Sequence, residues 1–327
     1  MLAVFDGHND ALTREDHARL ADGRAGGHLD FPRMRAGGVR GGIFSVFTAS
    51  PGDGESVEHA TAAAHSAAAA GRLLALERSG AVRVARVAGD LDRVLEDPDG
   101  PPVAVLHLEG AEAIDPGLEA LALWYEAGLR SLGPVWSRPN AFGHGVPFIS
   151  PSSPDTGPGL TEAGVRLVRR CAELGILVDL SHLNEAGFWD VARLECGPLV
   201  ASHSGVHALC ATSRNLTDRQ LDAVGSSGGL VGIVFAVRFL RADFADDVDT
   251  PLSLIAEHAR YVAERIGVEH VALGSDYDGA DIPAALGDVA ATPRLFEALR
   301  ASGFDSADLE RIAWGNWRRV LGAWWRE

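Results

Sequence analysis

The chain has 327 residues, 46% of them hydrophobic and 23% charged, with a formal net charge of −16. That excess of acid argues against nucleic acid or an anionic membrane as a partner, since both are met by basic patches. Three cysteines make no disulfide framework, no run reaches the roughly 20 apolar residues of a membrane span, and a secretory signal is lacking, so a cytoplasmic protein is expected.

In chain order, short apolar runs alternate with helix-like stretches. AVFDGH (3–8) and GGIFSVF (41–47) come first, followed by an Ala-rich surface helix over 59–70. PVAVLHLEG (102–110) and LRSLGPV (129–135) precede a Gly-, Pro- and Ser-rich loop over 138–159. A loop of that length inside a compact domain is usually a lid or a binding loop. The stretch 160–175 reads as a helix, with Thr161 as N-cap and Gly175 just past its end. GILVDLSH (175–182) and PLVASHS (198–204) follow, then a helix opened by a capping box, Thr217 with Gln220. GGLVGIVFA (228–236), an acidic solvated loop (242–250) and EHVALGSDYDG (269–279) complete the pattern. Most of the eight runs are near-continuous in apolar residues, as in parallel strands covered on both faces. Eight such strands alternating with helices predict one (β/α)8 barrel domain over 1–327. An open doubly wound sheet is the alternative, but no glycine-rich phosphate fingerprint follows the first strand.

Polar residues gather at the C-terminal ends of these runs, which in a barrel form the catalytic face. His8 and Asp10 end the first; alternation along a strand lets both point the same way. Glu109 ends the third run, His182 the fifth, His203 the sixth, and Asp276 and Asp278 the eighth. Taken singly, each histidine has the reading of a hydrogen-bonded core residue, and Asp278 before Gly279 reads as turn chemistry. Recurrence at five strand ends is harder to explain that way, because buried polar groups without partners are costly. His8, Asp10, Glu109, His182 and His203 are five candidate ligands, more than one zinc needs. With one carboxylate bridging, they suit two metals roughly 3.5–4 Å apart. Asp276 then remains free to carry protons.

The ordered set DGHND (6–10), HLEG (107–110), DLSH (179–182), ASHS (201–204), SRNLTD (213–218), GSDYDG (274–279) and GNWRRVL (315–321) resembles the membrane (renal) dipeptidase family of the amidohydrolase superfamily. The resemblance implies a (β/α)8 fold with two Zn2+ ions and hydrolysis of dipeptides by metal-activated hydroxide. It implies that His8 and Asp10 bind one zinc, that His182 and His203 bind the other, and that Glu109 bridges. Asp276 would handle the proton, and Arg214 would hold the substrate carboxylate, a task suited to a guanidinium fork. Many relatives carry a histidine after the fourth strand; here Trp136 stands at that place, with His144 eight residues on as a candidate substitute. The signal, anchor and cysteine bridging of the mammalian enzymes are lacking, which again implies a cytosolic form. The expected partner is a small dipeptide, and a homodimer is a possible assembly. Two other readings stay open: hydrolysis of another small amide or a lactone, and a barrel that only binds. Trp314, Trp317, Trp324 and Trp325 are expected to pack helices, and His107 is left unassigned.

Overall fold

The computed structural model describes residues 2–52 and 54–325. Among these are nine strands: β1 (Val4–Asn9), β2 (Val39–Phe47), β3 (Arg83–Val84), β4 (Val103–Glu109), β5 (Leu129–Gly133), β6 (Leu177–Val178), β7 (Val200–Ser204), β8 (Leu230–Ile233) and β9 (Val271–Leu273). All pair in parallel, in the order β1-β2-β4-β5-β6 and β7-β8-β9, with β3 attached to β4. Isolated parallel bridges join Asp179 to Val200 and Asn9 to Tyr277, so the two sheets follow one curl. The result is an α/β fold with a curled parallel sheet and helices outside it. Every residue of β1, β4, β5, β7, β8 and β9 is buried, which explains their unbroken apolar runs.

The eight expected strands are all present. The ninth, β3, spans two residues and pairs only with β4. The predicted caps also form. Thr161 accepts from the Gly164 N–H, and the helix Glu162–Leu174 ends at Gly175 in the left-handed conformation, φ 76°. Thr217 and Gln220 form their capping box at the helix Asp218–Ser226. The Ala-rich helix runs further than expected, over His59–Arg78, because Leu73 continues its buried face.

The interior of the curl is narrow. A Cβ on Gly232 or Gly274 would lie 1.9 Å from the Ser202 carbonyl oxygen, so only glycine lets these backbones approach. The four C-terminal tryptophans are buried. Trp317 donates to the Leu273 carbonyl, Trp324 to Pro198 and Trp325 to Arg130, which satisfies these three indoles as they pack, while Trp314 Nε1 is buried without a partner. Cys171, Cys196 and Cys210 are free thiols. No helix among the described residues is long and apolar enough to cross a membrane.

Candidate metal centre

The strand ends bring six of the predicted residues to one place. His8 lies in β1 and Asp10 just beyond it; Glu109 is the last residue of β4; His203 lies in β7. His182 and Asp276 follow β6 and β9 in left-handed backbone conformations, φ 69° and 61°. Such backbone is uncommon outside glycine, and here it turns two chemistry-bearing side chains at the end of short strands. Glu109 is the centre. Its Oε2 is 3.6 Å from His8 Nε2, and its Oε1 is 2.9 Å from His182 Nε2 and 3.5 Å from His203 Nε2. His8 Nε2 is 3.5 Å from Asp10 Oδ2. Two donor triads therefore share one carboxylate: His8, Asp10 and Glu109, and Glu109, His182 and His203.

The protonation pattern suits cations. Burial drives His182 down to about 4, helped by the Arg214 charge, and holds His203 well below its usual value, helped by His8. Both are thus neutral, as ligands must be. Burial opposes the Glu109 charge, yet His8, His182 and His203 together keep it ionised, well below the usual carboxylate range. Burial also opposes a charge on His8, but Glu109 and Asp10 outweigh it and raise His8 well above its usual value. A site that draws a proton onto a fully buried imidazole draws a cation for the same reason. Both ring nitrogens of His8, and Oδ1 of Asp10, are buried without a hydrogen-bond partner. Native interiors rarely tolerate such atoms unless an ion or water meets them. Burial pushes Asp276 up to about 7; Asp10 and Glu109 push it the same way, while His8 and Arg214 oppose them.

A second layer aims these rings. Ser137 Oγ meets His182 Nδ1 at 2.7 Å, and Ser202 Oγ meets His203 Nδ1 at 2.9 Å, leaving Nε2 of each ring toward Glu109. Ser202 is itself bonded through Oγ to Asp179, which also accepts from the Ser202 and Ser181 amides at 2.8 and 3.0 Å. Ser45 Oγ donates to Glu109 Oε2 at 3.2 Å. Such outer partners fix tautomer and orientation. His107, unassigned from sequence, is buried with its ring centroid 5.7 Å from that of His8 and its Nδ1 2.8 Å from Ser131 Oγ. The side chain of Asp278 is buried against Arg24 and the His28 amide, a structural tie that fits its turn reading.

A cavity of about 800 Å³ opens over the centre, lined by Asp10, Glu109, His182 and Asp276 among others. Trp136 lines it, beside Phe148 from the long loop. That loop lies at this face as expected: its Val146 amide donates to the His182 carbonyl at 2.9 Å. The structure does not bring His144 to the cavity; its Nδ1 faces the Gly159 carbonyl at 3.1 Å, within the loop itself. Arg214 is buried against the His203 backbone and, like His144, is not among the residues that line the cavity. Its Nη2 donates to the His203 carbonyl at 2.7 Å, while its Nε is buried without a partner.

The sequence match decides the family. A profile described as membrane dipeptidase (peptidase family M19) matches residues 1–324. The chain belongs to the membrane dipeptidase family. It is 49% identical over 249 residues to an uncharacterized protein in the pqqA 5' region of Klebsiella pneumoniae, covering 76% of this chain and 91% of that one. It superposes with a TM-score of 0.95 and 44% identity on a crystal structure of a metallo peptidase from Rhodobacter sphaeroides, over 99% of each chain. That protein is liganded with a phosphinate mimic of the dipeptide L-Ala-D-Ala. The probable dipeptidase PvdM from Pseudomonas aeruginosa shares the fold, with a TM-score of 0.88 at 22% identity over 98% and 95% of the chains. Membership makes this chain a hydrolase related to metal-dependent dipeptidases, and such relatives imply a metal cofactor.

Several residues of this membrane dipeptidase family member escape a reading of motifs. Ser202 had a local signal, since it directly precedes His203. Ser137 and His65 had none. His65 reaches the cavity from the helix His59–Arg78, and its ring Nε2 is buried without a partner.

Proposed function

We propose that this protein is a cytoplasmic binuclear zinc dipeptidase on a closed (β/α)8 barrel. The bridges that continue the curl between β6 and β7 and between β1 and Tyr277 support closure. One observation carries the metal reading: Glu109 offers one oxygen to the His8 side and the other to His182 and His203. His8, Asp10 and Glu109 would hold one ion; Glu109, His182 and His203 would hold the other. Bound there, paired ions supply Lewis acidity toward the scissile carbonyl and make water acidic enough to attack at neutral pH.

The chain's own groups do the rest. Asp276 stands in the cavity among the candidate ligands, a place suited to taking a proton and returning it. It accepts the proton of the attacking water and delivers it to the leaving amine nitrogen. Arg214, with one unpaired N–H, holds the free carboxylate of the substrate. A dipeptide ends one residue beyond the scissile bond, so an anchor this near the centre selects dipeptides by length. The buried rings of His8 and His203 and the half-buried Trp136 keep bulk water from the reacting atoms. Trp136 at the place of the family histidine favours a second reading, hydrolysis of another small amide or a lactone.

The test is metal analysis of purified protein together with turnover of a dipeptide library. Two metals per chain and cleavage of dipeptides are expected. Glu109→Gln should weaken both ions, because one carboxylate serves each. A stoichiometry of one that zinc supplementation leaves unchanged, or no turnover of any dipeptide by the metal-loaded protein, would overturn the reading.

A further inference from the structure

The wall of the cavity beside His182 is aromatic, and it is built as one piece. Phe47, the last residue of β2, lies 4.8 Å from Trp136 between ring centroids. Trp136 meets Phe148 edge-on at 5.6 Å, and Phe148 meets Phe239 at 5.4 Å. All four line the same cavity. The wall touches the candidate centre directly, since the Trp136 and His182 rings are 5.8 Å apart.

Trp136 is fixed from behind. The Arg138 guanidinium lies 5.2 Å from its ring and 5.6 Å from that of Phe47. Arg138 is in turn fully committed: it bonds Glu112 at 2.8 Å, Ser50 Oγ at 2.9 Å and the Thr48 carbonyl at 2.8 Å. A buried ion pair with three bonds holds the arginine, and the arginine backs the indole. Trp136 is therefore a rigid apolar surface, with its free side toward the cavity.

The arc has a direction. Its Phe239 end lies against the Arg214 guanidinium, 5.8 Å from the ring centroid. Its Phe47–Trp136 end is the other terminus, across His182. If the substrate carboxylate is held at Arg214 and the scissile carbonyl lies over Glu109 and His182, the N-terminal residue falls at the Trp136 end. We propose that Phe47 and Trp136 form the subsite for the N-terminal side chain, and that the preferred substrates carry an apolar side chain there. This assignment rests on the dipeptidase reading and on the Arg214 anchor.

The experiment compares kcat/KM for dipeptides X-Ala, where X is Gly, Ala, Leu, Phe, Glu or Lys, with both L- and D-Ala at the second position. The holoenzyme should favour Leu or Phe over Gly and Glu by roughly 10-fold or more, the discrimination a few methylenes give in an apolar pocket. A parallel series Ala-X should show a smaller spread, because the apolar preference belongs to the first residue. Trp136→Ala and Phe47→Ala should each shrink the Leu/Gly ratio toward 1, and Trp136→His should do so as well. Two wall positions keep the test decisive if one variant fails to fold. A flat profile across X, or a ratio that neither wall variant changes, overturns the assignment while dipeptide cleavage still stands. A larger spread in Ala-X than in X-Ala overturns it by reversing the direction. Failure to cleave any dipeptide removes the dipeptidase reading, and the subsite with it.

Discussion

Ser202 joins a buried carboxylate to a candidate ligand ring through one hydroxyl. Its Oγ bonds Asp179 on one side and meets His203 Nδ1 at 2.9 Å on the other. Burial raises the Asp179 pKa, but His107 and the bonds from Ser202 and Ser181 keep the carboxyl below its usual range. A buried carboxylate thus orients a neutral imidazole through a hydroxyl, rather than by direct contact. Ser202→Ala removes that link without adding bulk to a core where Gly232 and Gly274 already crowd the same residue. We expect the variant to bind one metal roughly 10–100-fold more weakly, the usual cost of losing an outer partner. The second ion should keep its affinity, because Ser202 touches neither His8 nor Asp10. Chelator competition on the purified protein measures both constants. Equal affinities in wild type and variant would remove Ser202 from the design. At this scale the ligand types were legible, since histidine and carboxylate at a strand end are hard to explain otherwise. The orienting hydroxyls were not, because a serine carries no sign of what it will face.

The helix Leu252–Ile266 ties down the turns that follow β7 and β8. His258 on that helix is buried, accepts from the Val206 amide at 2.9 Å and meets the Leu240 carbonyl at 3.1 Å. Burial holds its pKa down to about 4 from an ordinary 6.5, against the opposing pull of the Leu240 carbonyl. Between those values the unfolded chain binds a proton that the folded chain does not. The contribution is therefore intact above pH 6.5 and is lost as pH falls toward 4. By linkage it can reach about 3 kcal/mol. His258→Gln can keep both bonds but does not titrate, so it should lose less stability than wild type between pH 7.5 and 5. Urea unfolding at the two pH values gives the difference; an identical loss in both proteins would refute the role. Elements of this length were readable because their burial is one-sided or complete, as in Thr161 to Gly175 and in β4. By contrast, β3 is two residues paired only to β4, too short for any period to show. The end of the Ala-rich helix was misjudged for a related reason: alanine favours helix but says little about which face is covered.

Across the whole molecule, the most distant parts of the chain meet at the candidate centre. Asp6 accepts from the Ser275 amide at 2.8 Å and from its hydroxyl at 2.9 Å, while the Asp276 amide donates to the His8 carbonyl at 3.0 Å. The Asp10 amide donates to the Tyr277 carbonyl at 2.9 Å. Ions held by His8, Asp10, Glu109, His182 and His203 would add a second set of ties across β1, β4, β6 and β7. Metal removal should therefore lower global stability and not only activity. Restoring zinc to about 1,000 times its dissociation constant should return ~4 kcal/mol. Thermal unfolding with and without chelator reads this directly, and an unchanged Tm would show that the ions stabilise nothing. The meeting of β1 with the segment after β9 also sets a clock on synthesis. Ser275 lies 269 residues beyond Asp6. At ribosomal speeds that interval is on the order of tens of seconds. Throughout it, β1 has β2 on one side, while its other edge waits for the residues after β9. Of the nine strands among the described residues, β1 is made first, and its second edge is met only once the residues after β9 have followed.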